Sequence, residues 1–324
     1  MFEKIIEEVK NANNIYVSGH INPDGDSIGS TFAVYLALKK MGKDVKPILT
    51  KYSKTFSFLP FINEAKDHVE EEKYDLLICV DSSSKERIAI GEEGFSKANR
   101  TVLIDHHVKD KDYVDVSVVD QELPAASELV YNFINELNVE IDENIASFLY
   151  MGIMTDTGSF NYSSTKPSTY MIAAKLIEAG ADFSYICKMI NDTMSEGKLY
   201  LIKSAIEGME KYYDSMVRYT FIDYKTISSY DVDDEDAEGM TNYLRAVSGT
   251  EVAIYVREKS TGELKVSMRS GGKVDIANVA IKFGGGGHKR AAGFTMNIDG
   301  STYEEEKKKL LDYIGVKLND DFAG

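Results

Sequence analysis

The stretch NNIYVSGHINPDGDSIGSTFAVYLALKKMG, residues 13–42, decides the architecture. Its opening, NNIYV, is a short β-branched run that reads as a strand, and its close, TFAVYLALKKMG, reads as an amphipathic helix. Between them lies the turn SGHINPDGDSIGS, residues 18–30. A strand-to-helix turn in an α/β protein is where ligands bind. This one carries His20, Asp24 and Asp26 in place of a plain glycine loop. An imidazole and two carboxylates in one turn need partners from elsewhere in the chain.

Working outward, DVKPIL, YDLLICVD, RTVLIDHH and YVDVSVVD read as further strands, with helical patterns between several of them. Apolar strands alternating with helices predict an α/β fold with a doubly wound, mainly parallel sheet. Helical segments follow: AASELVYNFINEL, NIASFLYMGIMTD, PSTYMIAAKLIEAG and SYICKMINDTMSEGKLYLIKSAIEGM. The last reads as one long helix that bridges two domains. Beyond it, MVRYTFID, EVAIYVRE, LKVSMRS and RAAGFTMNI look like strands and VDIANVAIKFG like a helix, which predicts a smaller mixed α/β domain. The expected division is a catalytic domain at 1–184, a helical linker at 185–213 and a substrate-binding domain at 214–324, across a cleft.

Composition agrees with two ordinary domains: 324 residues, 43% of them hydrophobic. The net charge of −16, from 37 Lys+Arg against 53 Asp+Glu, argues against a protein that coats long nucleic acid, whose affinity comes from neutralising many phosphates. A small phosphorylated ligand in a pocket with its own cations stays open. VEEEKYD, DVDDEDAEG and the His68 region read as solvated surface. No apolar run approaches the ~18 residues of a membrane span, and the N-terminus, MFEKIIEEVKNANN, reads as an acidic amphipathic helix, not a signal peptide. Cys79 and Cys187 read as separate buried thiols of a cytoplasmic protein.

Three further places put metal-type ligands at the end of an element: Asp81 in LLICVDSSS, Asp105, His106 and His107 in TVLIDHHV, and Asp156 in GIMTDTGSF. In an open parallel sheet the carboxyl ends of neighbouring strands converge on one crevice, so His20, Asp24, Asp26, Asp81, His106 and Asp156 can meet there. Each aspartate alone could equally cap a helix; all of them in order, each at an element's end, favour a shared site. Four carboxylates balance two divalent cations. Mixed imidazole and carboxylate ligands suit Mn²⁺ better than Mg²⁺, with zinc and iron as alternatives. Two such ions can activate water and clamp a phosphoryl group for in-line displacement.

A second motif is KFGGGGHKRAAGF, in which Gly284, Gly285, Gly286 and Gly287 precede His288. Successive glycines expose backbone N–H groups to an anion, and His288, Lys289 and Arg290 add donors. Upstream, Ser267 and Arg269 occupy alternate strand positions and so share one face, where the arginine could grip a phosphate. Arg245 is a weaker candidate, with pairing to the preceding acidic segment as its plainer role.

Together GHINPDGDSIGS, VDSSS, LIDHH, MTDTGSF and GGGGHKRAAG resemble the DHH phosphoesterase superfamily, in the subfamily with a C-terminal DHHA1 domain, and within it the stand-alone NrnA type of bifunctional oligoribonucleases and pAp phosphatases. The resemblance implies His20, Asp24 and Asp81 at one manganese and Asp26, Asp81, His106 and Asp156 at the other, with Asp81 bridging. It implies catalytic support from His107 and Asp105, and substrate binding by Ser267, Arg269, Gly284 to Gly287 and His288. It implies short RNAs, linear dinucleotides such as pApA and pGpG, and pAp as substrates, and a homodimer. RecJ-type exonucleases are longer, the superfamily's pyrophosphatases carry a different C-terminal domain, and its membrane-linked cyclic dinucleotide phosphodiesterases have extra segments. A RecJ-like single-strand exonuclease is the alternative enzyme, and a non-catalytic nucleotide sensor the alternative of another class.

Overall fold

The computed structural model describes residues 1–107, 112–230, 232, 236–237, 239–260, 262–298 and 300–322. The chain forms two compact units, Met1–Thr193 and Met194–Gly324.

In the first unit the order is α1 (Glu3–Asn11), β1 (Asn14–Ser18), α2 (Gly25–Lys40), β2 (Asp44–Ile48), β3 (Tyr74–Val80), α3 (Gly91–Ser96), β4 (Ala98–Asp105), β5 (Val116–Val119), α4 (Ala126–Glu136), α5 (Glu143–Asp156), α6 (Pro167–Glu178) and α7 (Phe183–Asn191). The strands make one sheet in the order β2-β1-β3-β4-β5, every pair parallel. Because side chains alternate along a strand, the two faces bury different residues. Ile15, Val17, Ile78 and Ile104 join the main core with residues of α1, α2, α4 and α5. Tyr16, Leu77, Cys79 and Leu103 enter a smaller core on the other face, closed by residues between Val69 and Phe95.

Helix α2 is not amphipathic. Every residue from Gly25 to Leu38 is buried, and only its last two lysines reach solvent. From Ser27 to Leu38 there is no charge, and a helix without a polar face belongs inside. Its crossing with α5 is unusually close: a Cβ on Gly29 would lie 2.5 Å from the Phe148 carbonyl oxygen and 3.1 Å from the Gly152 Cα.

The long bridging helix expected around residues 184–209 is two helices, α7 and α8 (Glu196–Glu207). The Ser195 side chain accepts from the Lys198 N–H and starts α8 anew, since a hydroxyl that satisfies an orphan N–H favours a helix start over a helix interior. The second unit continues with β6 (Glu210–Tyr212), β7 (Val217–Ile222), α9 (Tyr224–Ser229), α10 (Met240–Arg245), β8 (Val252–Glu258), β9 (Leu264–Ser270), α11 (Ile276–Lys282), β10 (Gly286–His288), β11 (Ala291–Met296) and α12 (Tyr303–Phe322). Its sheet runs β10-β11-β9-β8-β7-β6, with β7 and β8 parallel and the other pairs antiparallel. One face packs on Ile276, Val279, Leu310 and Ile314 from α11 and α12.

Smaller expectations also shift. In VEEEKYD, Val69 is buried and Glu71 pairs with Lys46 and the Tyr16 hydroxyl, so the segment is not wholly solvated. Cys79 is buried and Cys187 half-buried, both free; His68 is exposed beside Asp67. Much of DVDDEDAEG, the suggested partner of Arg245, lies outside the described residues. No helix among the described residues is long and apolar enough to cross a membrane.

Candidate metal centre

The strand order turns back between β1 and β3, and ligands of doubly wound sheets bind outside the carboxyl ends of the strands at that switch point. His20 lies two residues past β1, Asp81 directly follows β3, and Asp105 ends β4, with His106 and His107 next. Asp24 is the N-cap of α2 and Asp156 the last residue of α5. The structure brings these side chains together: ligand atoms of His20, Asp24 and Asp81 lie within 4.8 Å of one another, as do those of Asp26, His106 and Asp156.

Both inner imidazoles are aimed by their backbone contacts. The Nδ1 of His20 lies 2.8 Å from the Ile21 carbonyl oxygen, and that of His106 lies 3.1 Å from the Leu123 carbonyl oxygen. A carbonyl only accepts, so each Nδ1 donates and each Nε2 turns to the carboxylates, the arrangement that orients metal-ligating histidines. The Nε2 of His20 is 3.8 Å from Asp24 Oδ1 and 3.5 Å from Asp81 Oδ2. That of His106 is 3.6 Å from Asp81 Oδ1, 3.4 Å from Asp156 Oδ2 and 3.9 Å from Asp26 Oδ2. The two oxygens of Asp81 thus face different imidazoles. Its backbone is left-handed, at φ 50°, a conformation aspartate tolerates better than most residues.

Asp26, 1% exposed, is held from a distant part of the chain. Its Oδ2 accepts from the Ala126 N–H at 2.6 Å and its Oδ1 from the Ser127 N–H at 3.0 Å. Helix α4 has no side-chain cap from its own N-cap residue, Ala125; Asp26 takes that place. Behind it, Gly152 of α5 leaves no room for a side chain, since a Cβ would lie 2.0 Å from Ser127 Oγ and 2.8 Å from Asp26 Oδ1.

Crowding shifts the protonation of the whole group. Burial, then the charges of Asp81 and Asp156, push the Asp26 carboxyl well above the ordinary range. Burial and the charges of Asp81 and Asp24 raise Asp156 to about 6, against the pull of His106. Burial alone would lower the imidazoles, yet the carboxylates prevail: Asp24 and Asp81 raise His20 to about 9, and Asp81, Asp26 and Asp156 raise His106 to about 10. Protons thus act as the cations of a site whose donor set, two imidazole nitrogens and several carboxylate oxygens, fits divalent metal ions. Asp105 is fully buried and accepts at Oδ1 from the backbone N–H groups of His106 and His107 and from His107 Nδ1, at 2.7, 3.2 and 2.9 Å. That hydrogen bond raises the His107 pKa.

The chain beyond Asp156 is held in an uncommon shape. Gly158, Ser159 and Phe160 are all left-handed, at φ 57°, 56° and 63°, at a cost of roughly 1–2 kcal/mol for each residue with a side chain. Thr157 offsets this. Its Oγ1 donates to the Ile153 carbonyl at 2.6 Å and accepts from the Phe160 N–H at 3.0 Å, and its carbonyl accepts from Asn161 and Tyr162.

In the second unit, the register pairs Arg269 with Ala291 and Ala291 with His288, and pairs Ser267 with Gly293 and Gly293 with Gly286. Directly paired residues share a face, so Ser267, Arg269 and His288 stand on one side of the sheet. Ser267, Arg269 and Gly284 to Gly287 line a groove of ≈ 700 Å³. The glycine run is part strand: Gly286 and Gly287 begin strand β10, at the sheet's edge. Glycine is required there for close approach, because a Cβ on Gly285 would lie 2.2 Å from the Gly293 carbonyl oxygen and one on Gly287 2.5 Å from that of Ala291. Sequence reasoning did not find the Ala126 and Ser127 amides or the small residues Ala291 and Gly293 that floor the groove; only the strand register could have found the latter.

The family model for the DHH family, N-terminal domain, matches residues 14–153, and that for the DHHA1 domain matches residues 217–319. The chain belongs to the DHH family. This DHH protein is 29% identical over 306 residues to the bifunctional oligoribonuclease and PAP phosphatase NrnA of Thermus thermophilus, covering 94% of this chain and 90% of that one. It superposes on an exopolyphosphatase-related protein from Bacteroides fragilis with a TM-score of 0.87 at 25% identity, over 98% of this chain and 97% of that chain. A more distant likeness, at TM-score 0.57 and 14% identity, is to RecJ of Thermus thermophilus, solved in complex with Mn²⁺ and matched over 96% of this DHH protein and 53% of RecJ.

Proposed function

We propose that this phosphohydrolase, the class its DHH membership and its clustered acids and imidazoles indicate, cleaves short oligoribonucleotides to mononucleotides and pAp to AMP with two divalent ions, manganese foremost. The observation that carries the reading is Asp81, one oxygen toward His20 and the other toward His106, at the switch point of the sheet. His20, Asp24 and Asp81 would hold one ion, and Asp26, Asp81, His106 and Asp156 the other. When bound, the ions supply Lewis acidity toward a phosphoryl group and toward water.

The chain's own residues do the rest. Asp105 orients His107 through Nδ1, which leaves Nε2 as the ring atom that holds or delivers a proton at the scissile phosphate. Ser267, Arg269, His288 and the glycine run bind the substrate's remaining phosphate, the arginine as a charged fork. The net charge of −16 disfavours long polymers, which need many phosphate contacts. The similarity to the Thermus oligoribonuclease and PAP phosphatase supports the substrate class.

Purified protein with Mn²⁺ is incubated with labelled dinucleotides, pAp, long RNA and pyrophosphate. Dinucleotides and pAp should be consumed fastest. Processive shortening of long RNA points instead to an exonuclease of RecJ type, and hydrolysis of pyrophosphate alone overturns the assignment. Asp81→Ala should abolish turnover; nucleotide binding with no turnover in the unmutated protein would mark a sensor.

A further inference from the structure

Three left-handed residues, Gly158, Ser159 and Phe160, lie just past the helix end that carries Asp156. A helix can end at Asp156 without Ser159 and Phe160 adopting a conformation that both disfavour. Strain that persists this close to a reactive centre is kept by surrounding contacts and points to something the segment presents. What it presents is Tyr162. The ring of Tyr162 sits directly on Gly158, its Cε1 and Cζ 2.5 Å from where a Cβ would be, so a side chain at 158 would displace it. The ring is nevertheless 61% exposed. An aromatic side chain seated by one edge of the fold, with most of its surface in water, lacks the burial that normally accounts for a tyrosine.

The seat is rigid. Asn161 Nδ2 donates to the carbonyls of Gly158 and Ser159 at 3.0 and 3.1 Å. Asn191 Nδ2 donates to Ser159 Oγ at 3.0 Å. Phe160 stacks on Tyr170 with centroids 5.3 Å apart and planes at 27°, and the Tyr170 hydroxyl donates to the Phe160 carbonyl at 3.2 Å. Gly158, on which the ring rests, is two residues from Asp156, so their Cα atoms are at most about 7 Å apart.

We propose that the exposed ring of Tyr162, parked on Gly158 beside Asp156, is the platform on which the nucleobase next to the cleaved phosphate stacks. This rests on the reading of the cluster as the centre of a phosphohydrolase acting on nucleotides, and it adds a subsite for the base. A ring face takes any base, because every base has a π-face; a site built this way discriminates nucleotides from sugar phosphates without choosing among sequences. The ring already lies over the Gly158 backbone, so a base that stacks on it meets a surface already in place.

The test is equilibrium binding of AMP and of ribose 5-phosphate to the Mn²⁺-loaded protein, by calorimetry, in the unmutated chain, Tyr162→Ala and Tyr162→Phe. Stacking on one ring makes AMP bind at least about fivefold tighter than ribose 5-phosphate. That preference should vanish in Tyr162→Ala, persist in Tyr162→Phe, and leave ribose 5-phosphate affinity unchanged throughout. A preference that survives Tyr162→Ala overturns the platform, as does an equal loss of affinity for both ligands. Because the readout is binding, a protein that prefers AMP but cleaves no dinucleotide overturns the assigned reaction and leaves the platform standing.

Discussion

Replacing Asp26 by asparagine separates two duties of one carboxylate: capping α4 and holding charge in the cluster. In the metal-free protein the amide keeps one acceptor oxygen, so one of the two N–H bonds to α4 is lost. A buried donor without an acceptor costs about 1–3 kcal/mol. The charge works in the other direction. The Asp26 pKa is raised by burial and by Asp81 and Asp156. A carboxyl whose folded pKa exceeds its unfolded value loses stability as pH climbs between the two; the neutral amide escapes that loss at pH 7. The two effects oppose one another, so the metal-free variant should lose less stability than the unpaired donor alone would cost. Manganese separates the two duties. At about one hundred times its dissociation constant an ion adds about 2.7 kcal/mol per site, hence about 5 kcal/mol for two sites and half of that where one is lost. With about 2–4 °C per kcal/mol, the parent's Tm should rise by about 10–20 °C on loading and the variant's by about half as much. Scanning calorimetry after chelation and after titration with Mn²⁺ reads both numbers. A variant that keeps the full metal-dependent rise, or one already unfolded without metal, refutes the reasoning.

Arg269→Ala should raise KM for a dinucleotide about tenfold or more, the worth of a charge-assisted hydrogen bond, with kcat changed far less; steady-state kinetics decide. His20 and His106, raised to about 9 and about 10, are protonated at neutral pH and must release those protons to an ion. Apparent Mn²⁺ affinity should therefore climb from pH 6 to pH 9, and the calorimetric binding enthalpy should depend on the buffer's ionisation enthalpy; a flat profile with no proton release contradicts this. Gly285→Ala should destabilise the second unit by about 1–3 kcal/mol through overpacking against β11. Gly286→Ala, with nothing within 4 Å of the added Cβ, should leave denaturant unfolding unchanged.

The parallel sheet was legible because its strands are short apolar runs ending in polar punctuation, and the same punctuation exposed His20, Asp81, Asp105 and Asp156. What was not legible depends on distance along the chain. The burial of GDSIGSTFAVYLALKK was legible in its charge-free run from Ser27 to Leu38, but the two lysines that close it give the segment the look of an amphipathic helix. The Asp26 bonds span about a hundred residues, and backbone amides leave no signature in a sequence. GGGG reads as freedom, whereas in the fold two of its members are narrow because β11 lies against them. The break at Asp192–Ser195 was hidden by apolar residues that keep helical spacing on both sides, and α12, rich in Glu and Lys, lacks the strong stripe that would have marked it.

Gly29 and Gly152 meet where α2 crosses α5, and each helix delivers one carboxylate, Asp26 and Asp156, to the same cluster. The gap between those two acids is therefore gauged by a contact made of bare backbone. A single methyl group inserted at that crossing would act as a shim, widening the separation of the ligands without altering their chemistry. The size of any cation those carboxylates could share is in this sense a property of helix packing.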